Sequence, residues 1–144
     1  MSTLLSLSSL ESCKDGSGRV ISVGVDLVSV SEVRDSVAVF GDRYLKRVFT
    51  AEELVDCRAW ADPVPHLAAR FAAKEAVIKA LRVEDAQPPW ISMEVGRHPV
   101  AGPAIRLSGA AARLAADRGI GTISVSLSHE GDMAGAVVVA TATI

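Results

Sequence analysis

From residue 20 onward, apolar positions recur with two different periods. Val20-Ile21-Ser22-Val23-Gly24-Val25-Asp26-Leu27-Val28-Ser29-Val30 is rich in Val and predicts a strand. In it Val23, Val25 and Leu27 face one way, and Gly24, Asp26 and Val28 the other. Residues 31–45 predict a helix with Val33, Val37 and Phe40 on one side and a break at Gly41. Thr50, with Glu53 three residues on, is a capping box that opens a short helix through about Trp60. Asp62-Pro63-Val64-Pro65 makes a turn. Leu67, Phe71, Ile78 and Leu81 then recur at helical spacing and predict a helix over about 66–82. A loop over 83–89 ends in Pro88-Pro89, and strands at 90–95 and 104–107 flank a Gly- and Pro-rich turn. Ser108 caps an Ala-rich helix that stops near Gly119. Ile123, Val125 and Leu127 alternate with serines in a strand, and His129-Glu130-Gly131-Asp132 makes a turn. Residues 133–140 form a last strand with no polar side, expected to be central or covered on both faces.

Residues 1–19 have no such period. They are Ser-rich and lack the basic start and long apolar run of a secretory signal. The expectation is a disordered extension, one domain over 20–144, and a cytoplasmic location. Hydrophobic residues make up 49% of the 144, yet no apolar run approaches the ~20 residues of a membrane span. The surplus apolar surface is therefore expected in subunit interfaces, with no membrane partner. A net charge of -2 does not favour nucleic acid. Cys13 and Cys57 have no metal-ligand spacing and read as two reduced thiols.

Three polar features sit in apolar settings. Asp26 interrupts a Val-rich strand, where an unpaired buried charge is expensive. Glu75 and Lys79 are four apart on the long helix, among Ala residues that allow close approach. An ordinary surface ion pair, worth ~0.2–0.5 kcal/mol, accounts for that spacing equally well. His129 stands at a strand end. Two carboxylates suit a hard cation such as Mg²⁺, and Lys and His suit the phosphates that accompany it. The Gly-rich loops of NTP and dinucleotide sites are absent, as is the Gly-x-Ser-x-Gly elbow. Ser128 and His129 are adjacent on a strand and point apart, which argues against an activated serine. His98 reads as exposed and His66 as structural.

Taken together, the chain resembles the holo-acyl-carrier-protein synthase type of 4′-phosphopantetheinyl transferase. The likeness rests on Gly24-Val25-Asp26-Leu27-Val28, on Ala69-Arg70-Phe71-Ala72-Ala73-Lys74-Glu75-Ala76 with Lys79-Ala80-Leu81, and on Ser126-Leu127-Ser128-His129-Glu130. The resemblance implies an α+β fold with a small, mostly antiparallel sheet around a long central helix, assembled as a homotrimer with sites between subunits. It implies a Mg²⁺-dependent enzyme that moves phosphopantetheine from coenzyme A to a serine of an apo acyl carrier protein or related carrier. The by-product would be adenosine 3′,5′-bisphosphate. By motif, Asp26 and Glu75 look like the metal ligands, and Asp26, Glu75 and Lys79 like the catalytic set. Lys79 would contact the reacting phosphate, and Arg70, Lys74 and His129 further phosphates of coenzyme A. A metal-bound water or Glu75 takes the serine proton, and the sequence leaves both open. The alternative is a non-catalytic coenzyme A or nucleotide-binding trimer of the same fold.

The chain departs from the family pattern at two places. An Arg that meets acidic carrier residues is replaced by Glu32, with Arg34 two residues on. The usual Gly after Lys-Ala-Leu is Arg82, which must either adopt positive φ or let the helix continue. These departures leave open whether the carrier is the fatty-acid one or a specialised one.

Overall fold

The computed structural model describes residues 19–143. The extension expected over 1–19 therefore lies outside the described residues, except for Arg19. Among the described residues the order is β1 (Val20–Ser29), α1 (Val30–Phe40), α2 (Asp42–Val48), α3 (Ala51–Arg58) and α4 (Val64–Leu81). A 3₁₀ turn (Trp90–Ser92) follows, then β2 (Met93–His98), β3 (Gly102–Leu107), α5 (Gly109–Asp117), β4 (Ile120–Glu130) and β5 (Met133–Ala142).

β1, β5 and β4 form one antiparallel sheet with β5 in the middle, and β2 and β3 form a separate hairpin. The long α4 lies across the larger sheet. Its Ala72, Ala73, Ala76, Val77 and Ala80 are buried against Ala136, Val138 and Ala140 of β5 and Val125 and Leu127 of β4. The facing residues are small, so helix and sheet pack closely. A second cluster joins Val33, Leu45, Val48 and Leu54 of the first three helices, with Phe49 between α2 and α3, to Leu67 and Ala68 of α4.

The sequence reading changes in five places. Gly41, at φ 54°, splits the expected helix over 31–45 into α1 and α2. α4 begins at Val64, because Pro63 and Pro65 are compatible with a first helical turn, where no backbone N–H is needed. The segment at Trp90 turns once as 3₁₀ before the strand begins at Met93. β5 is central, yet only one face is covered. Ala134, Ala136, Val138 and Ala140 are buried, whereas Met133 is 44% and Val137 42% exposed. His129 and Glu130 also lie within β4 and not in the turn.

A buried ion pair ties the helices to the hairpin. Glu53 closes the capping box of α3, taking the Thr50 backbone N–H at 2.9 Å and giving its own to Thr50 Oγ1 at 3.2 Å. The same carboxylate accepts from Lys74 Nζ at 2.7 Å and from the Val95 backbone N–H at 3.1 Å. Both side chains are completely buried. Lys74 also donates to the carbonyls of Trp90 (3.0 Å) and Met93 (2.6 Å). Burial pulls the Lys74 ammonium below its ordinary range, and the Glu53 charge and hydrogen bond oppose that. Lys74→Met would leave the Glu53 carboxylate buried without its counter-ion. Urea denaturation should show a loss of about 3–5 kcal/mol.

α4 ends in a left-handed residue. Arg82 adopts φ 52°, ψ 51°, the single positive φ outside glycine among the described residues. The Arg118 guanidinium closes the helix end by donating to the carbonyls of Leu81 and Arg82. A side chain in this conformation costs about 1–2 kcal/mol relative to the right-handed one, a penalty glycine escapes. Arg82→Gly should therefore raise stability by about 1 kcal/mol, read as a higher melting temperature.

Candidate functional site

The site begins where β1 touches α4. A Cβ built on Gly24 would lie 1.9 Å from the Ala76 carbonyl oxygen, so any side chain there would force the strand off the helix. Two residues back on the same face, Ser22 Oγ donates to the Ala80 carbonyl at 2.6 Å and pins the contact. Two residues forward comes Asp26, carried to the flank of α4 by the same geometry. Its Oδ1 accepts from Lys79 Nζ at 2.9 Å, and the Val25 carbonyl accepts from the same ammonium at 2.9 Å. The Asp26 side chain is only 17% exposed, whereas that of Lys79 is 53% exposed.

Glu75 projects from the same side of α4 one turn before Lys79. Its carboxyl is raised above the ordinary range, first by burial and then by the negative charge of Asp26, with Lys79 opposing. β1 and α4 thus bring two carboxylates into mutual repulsion beside one ammonium. A cation between them would relieve that repulsion. The oxygen-only donor set fits Mg²⁺, which binds one or two carboxylates and completes its shell with substrate phosphates and water. No group of three or more His, Cys, Asp or Glu side chains is placed to hold a metal among the described residues. The protein therefore supplies part of such a shell and not a closed cage.

Arg70 and His129 both contact His66, at a second place. Arg70 is 5% exposed, and its Nη1 reaches only the His66 carbonyl, at 3.5 Å. Its Nε has no hydrogen-bond partner among the described residues. A buried guanidinium left in this state is costly, and an anion is the group that completes it. The exposed His129 ring stands edge-on to His66, with centroids 5.1 Å apart at 78°. His66 in turn stacks on Trp60, at 4.3 Å and 16°.

Lys74 goes elsewhere. It was expected among the phosphate contacts, but all three of its N–H groups are taken by Glu53, Trp90 and Met93 in the interior. Neighbours on a helix point about 100° apart, so Lys74 and Glu75 face different surroundings. Arg34 is also engaged, with Asp62 at 2.7 Å. His98 is exposed, and its Nδ1 accepts from the Val100 and Ala101 backbone N–H groups in the hairpin turn. Cys57 is buried, and its thiol is pushed up to about 11, chiefly by that burial, which keeps it unreactive.

Sequence reasoning missed Gly24, Glu53, Trp60 and His66 as parts of this arrangement. An isolated Gly inside a strand does signal close backbone approach, and that sign was available at Gly24. The acid of a capping box is usually solvent-facing, so the Thr50–Glu53 pattern carried no hint of Lys74.

The charge repulsion at Glu75 has a measurable consequence. Because folding raises its pKa, the ionised form costs stability. That cost is absent at pH values below the ordinary Glu range and grows as pH rises through the raised value. In chelator, Glu75→Gln should therefore melt higher than the parent protein at neutral pH, and the difference should vanish in acid.

Comparison with known proteins covers most of the chain. The family model described as the 4′-phosphopantetheinyl transferase superfamily matches residues 22–138. A holo-acyl-carrier-protein synthase of Desulforudis audaxviator is 46% identical over 121 residues, spanning 84% of this chain and 92% of that protein. The crystal structure of holo-acyl-carrier-protein synthase from Neisseria meningitidis is 32% identical with a TM-score of 0.75, covering 84% of this chain and 98% of that one. The Helicobacter pylori synthase in complex with coenzyme A is 29% identical with a TM-score of 0.70, covering 83% and 99%.

Proposed function

The chain belongs to the 4′-phosphopantetheinyl transferase superfamily, and we propose that it is a holo-acyl-carrier-protein synthase built around the meeting of Asp26, Glu75 and Lys79. It transfers 4′-phosphopantetheine from coenzyme A to a serine of an apo carrier protein. The observation that carries this reading is the pair of repelling carboxylates, held beside an ammonium by the contact of Gly24 with Ala76. The alternative of a non-catalytic coenzyme A-binding trimer gives no reason to retain that unfavourable pairing.

The serine Oγ gives up its proton, to Glu75 or to water, and attacks the phosphorus next to the pantetheine arm. The P–O bond to the bridging oxygen breaks, and adenosine 3′,5′-bisphosphate leaves. Mg²⁺ held by Asp26 and Glu75 supplies charge neutralisation on the pyrophosphate when bound. Lys79 is the ammonium nearest those carboxylates and half open to solvent, so it is assigned to the reacting phosphate, where it offsets charge growing on the leaving group. Arg70, whose Nε has no partner among the described residues, and His129 are assigned to a further phosphate of coenzyme A. Lys74 is assigned to the interior and not to the substrate.

The outer face of the larger sheet supports the homotrimer. Val23, Val25 and Leu27 are 54%, 50% and 68% exposed, and Met133 and Val137 lie near them on β5. A patch of this kind on a lone subunit marks an interface, and other copies of the chain are the assigned occupants. Carrier docking falls to α1 and α2. Glu32 serves the start of α1, where an acid is favourable, and Arg34 is tied to Asp62. The exposed Arg43 and Arg47 instead flank a cleft of about 510 Å³ with Phe40 and Tyr44, suited to an acidic, partly apolar carrier surface. No helix among the described residues is long and apolar enough to cross a membrane, which is compatible with a cytoplasmic reaction.

Incubation with coenzyme A, Mg²⁺ and a panel of apo carriers should add the mass of one phosphopantetheine to a carrier. Lys79→Ala should lower the rate by a factor of about 10²–10³ while the protein still sediments as a trimer. A folded protein that modifies no carrier would overturn the assignment.

A further inference from the structure

The aromatic stack beside Arg70 and His129 has no part in the steps above. Trp60, half exposed, lies flat on His66, and His66 meets His129 edge-on. His66 sits in the first turn of α4, one turn before Arg70, and its carbonyl receives the one side-chain hydrogen bond that Arg70 makes among the described residues. Trp60 follows α3, His66 and Arg70 belong to α4, and His129 lies near the end of β4. The rings therefore link α4 to β4 and to the segment after α3, and the His66 carbonyl holds a guanidinium whose Nε lacks a partner among the described residues.

An exposed imidazole near a strand end has several rotamers open to it, and edge-to-face packing restricts them. We propose that Trp60 and His66 form a wall that holds His129 and Arg70 in place for a phosphate of coenzyme A, which makes His66 a positioning residue of that site. The inference rests on the function proposed above and assigns it two residues whose rings act by packing and not by charge.

The surrounding charges agree with a packing role. His66 is depressed below the ordinary imidazole range, first by burial and then by His129, Arg70 and Arg97. Asp62 pulls the other way but is itself engaged by Arg34. Burial and the neighbouring cations thus favour the neutral form of His66. A neutral ring can stack on Trp60 and receive the edge of His129 without adding another positive charge.

The test separates packing from charge and binding from chemistry. His66→Ala and Trp60→Ala should each raise KM for coenzyme A about tenfold. Both should leave kcat within about twofold. His66→Phe keeps the ring, cannot be protonated, and should restore KM to near the parent value. The His129 imidazole signals in NMR should shift in His66→Ala and return toward the parent position in His66→Phe. Unchanged KM in both alanine variants would overturn the inference, as would a His66→Phe protein as impaired as His66→Ala. Calorimetric binding of adenosine 3′,5′-bisphosphate gives an arm independent of transfer. If the parent protein modifies no carrier but His66→Ala weakens bisphosphate binding, the proposed function falls and the wall stands. If the parent transfers normally and His66→Ala binds the bisphosphate with parent affinity, the wall alone falls.

Discussion

The rest of the structure depends on the buried pairing of Lys74 with Glu53. One ammonium and one carboxylate join the start of α3, the middle of α4, the 3₁₀ turn at Trp90 and the first residues of β2. Ion pairs in an interior are poor sources of net stability, because desolvation offsets much of the attraction. Here the surplus hydrogen-bonding capacity of both groups is spent on backbone. The backbone N–H groups of Thr50 and Val95 find their acceptor in Glu53, and the carbonyls of Trp90 and Met93 find a donor in Lys74. Replacing the pair with apolar side chains would remove these partners from the backbone, so the pair fixes the path of the chain as well as holding it together. α4 is thereby held by its interior side, which leaves its other side free to be pressed against β1.

On that other side the energetics run the opposite way. Gly24 and Ala76 remove side-chain bulk, and the strand comes close enough for Asp26 and Glu75 to feel each other's charge. A single ammonium, already shared between Asp26 and the Val25 carbonyl, offsets the repulsion in part. The fold thus stores an unfavourable arrangement at one place and holds it with a satisfied one a few residues away on the same helix. Buried charge that is fully partnered reads as architecture, whereas charge that is crowded and under-partnered reads as a site awaiting a ligand.

Much of this was legible in the order of residues, and the failures have physical causes. Apolar patterns located the strands and most helices, although α4 is buried around most of its circumference and not on one face alone. Gly41 was seen as a breaker, but two helices and not one shortened helix resulted, since the chain resumes at once with Asp42 in the first turn of α2. Arg82 was left between two conformations, and the left-handed one won because Arg118 caps the carbonyls there, a contact made 36 residues away along the chain. Spacing alone put Glu75 and Lys79 on one side of α4, but it did not show that Lys79 bonds across to Asp26 and the Val25 carbonyl of β1. Lys74 was misread because the motif places it next to Glu75, and adjacency in sequence hides a rotation of about 100° on the helix. Counting in fours instead puts His66, Arg70 and Lys74 on one stripe and Phe71, Glu75 and Lys79 on another. The first stripe runs into the protein, and the second runs along its edge.

The same alternation explains how β1 serves two purposes. A strand presents its odd and even residues to opposite sides. Ser22, Gly24 and Asp26 face α4, where small size and one charge are needed. Val23, Val25 and Leu27 point away from it and remain uncovered in a single chain. On β4 that outer face carries Ser124, Ser126 and Ser128, so the apolar patch is confined to β1 and β5. Gly135 belongs to this patch, where a Cβ would lie 2.9 Å from Leu27 Cδ2, and its absence lets the leucine settle against the sheet. A one-residue slip of β1 would bury the valines, expel Asp26 from the site and dismantle the outer patch together. Register is therefore the constraint that couples the placement of Asp26 on one side of the strand to the exposed apolar patch on the other.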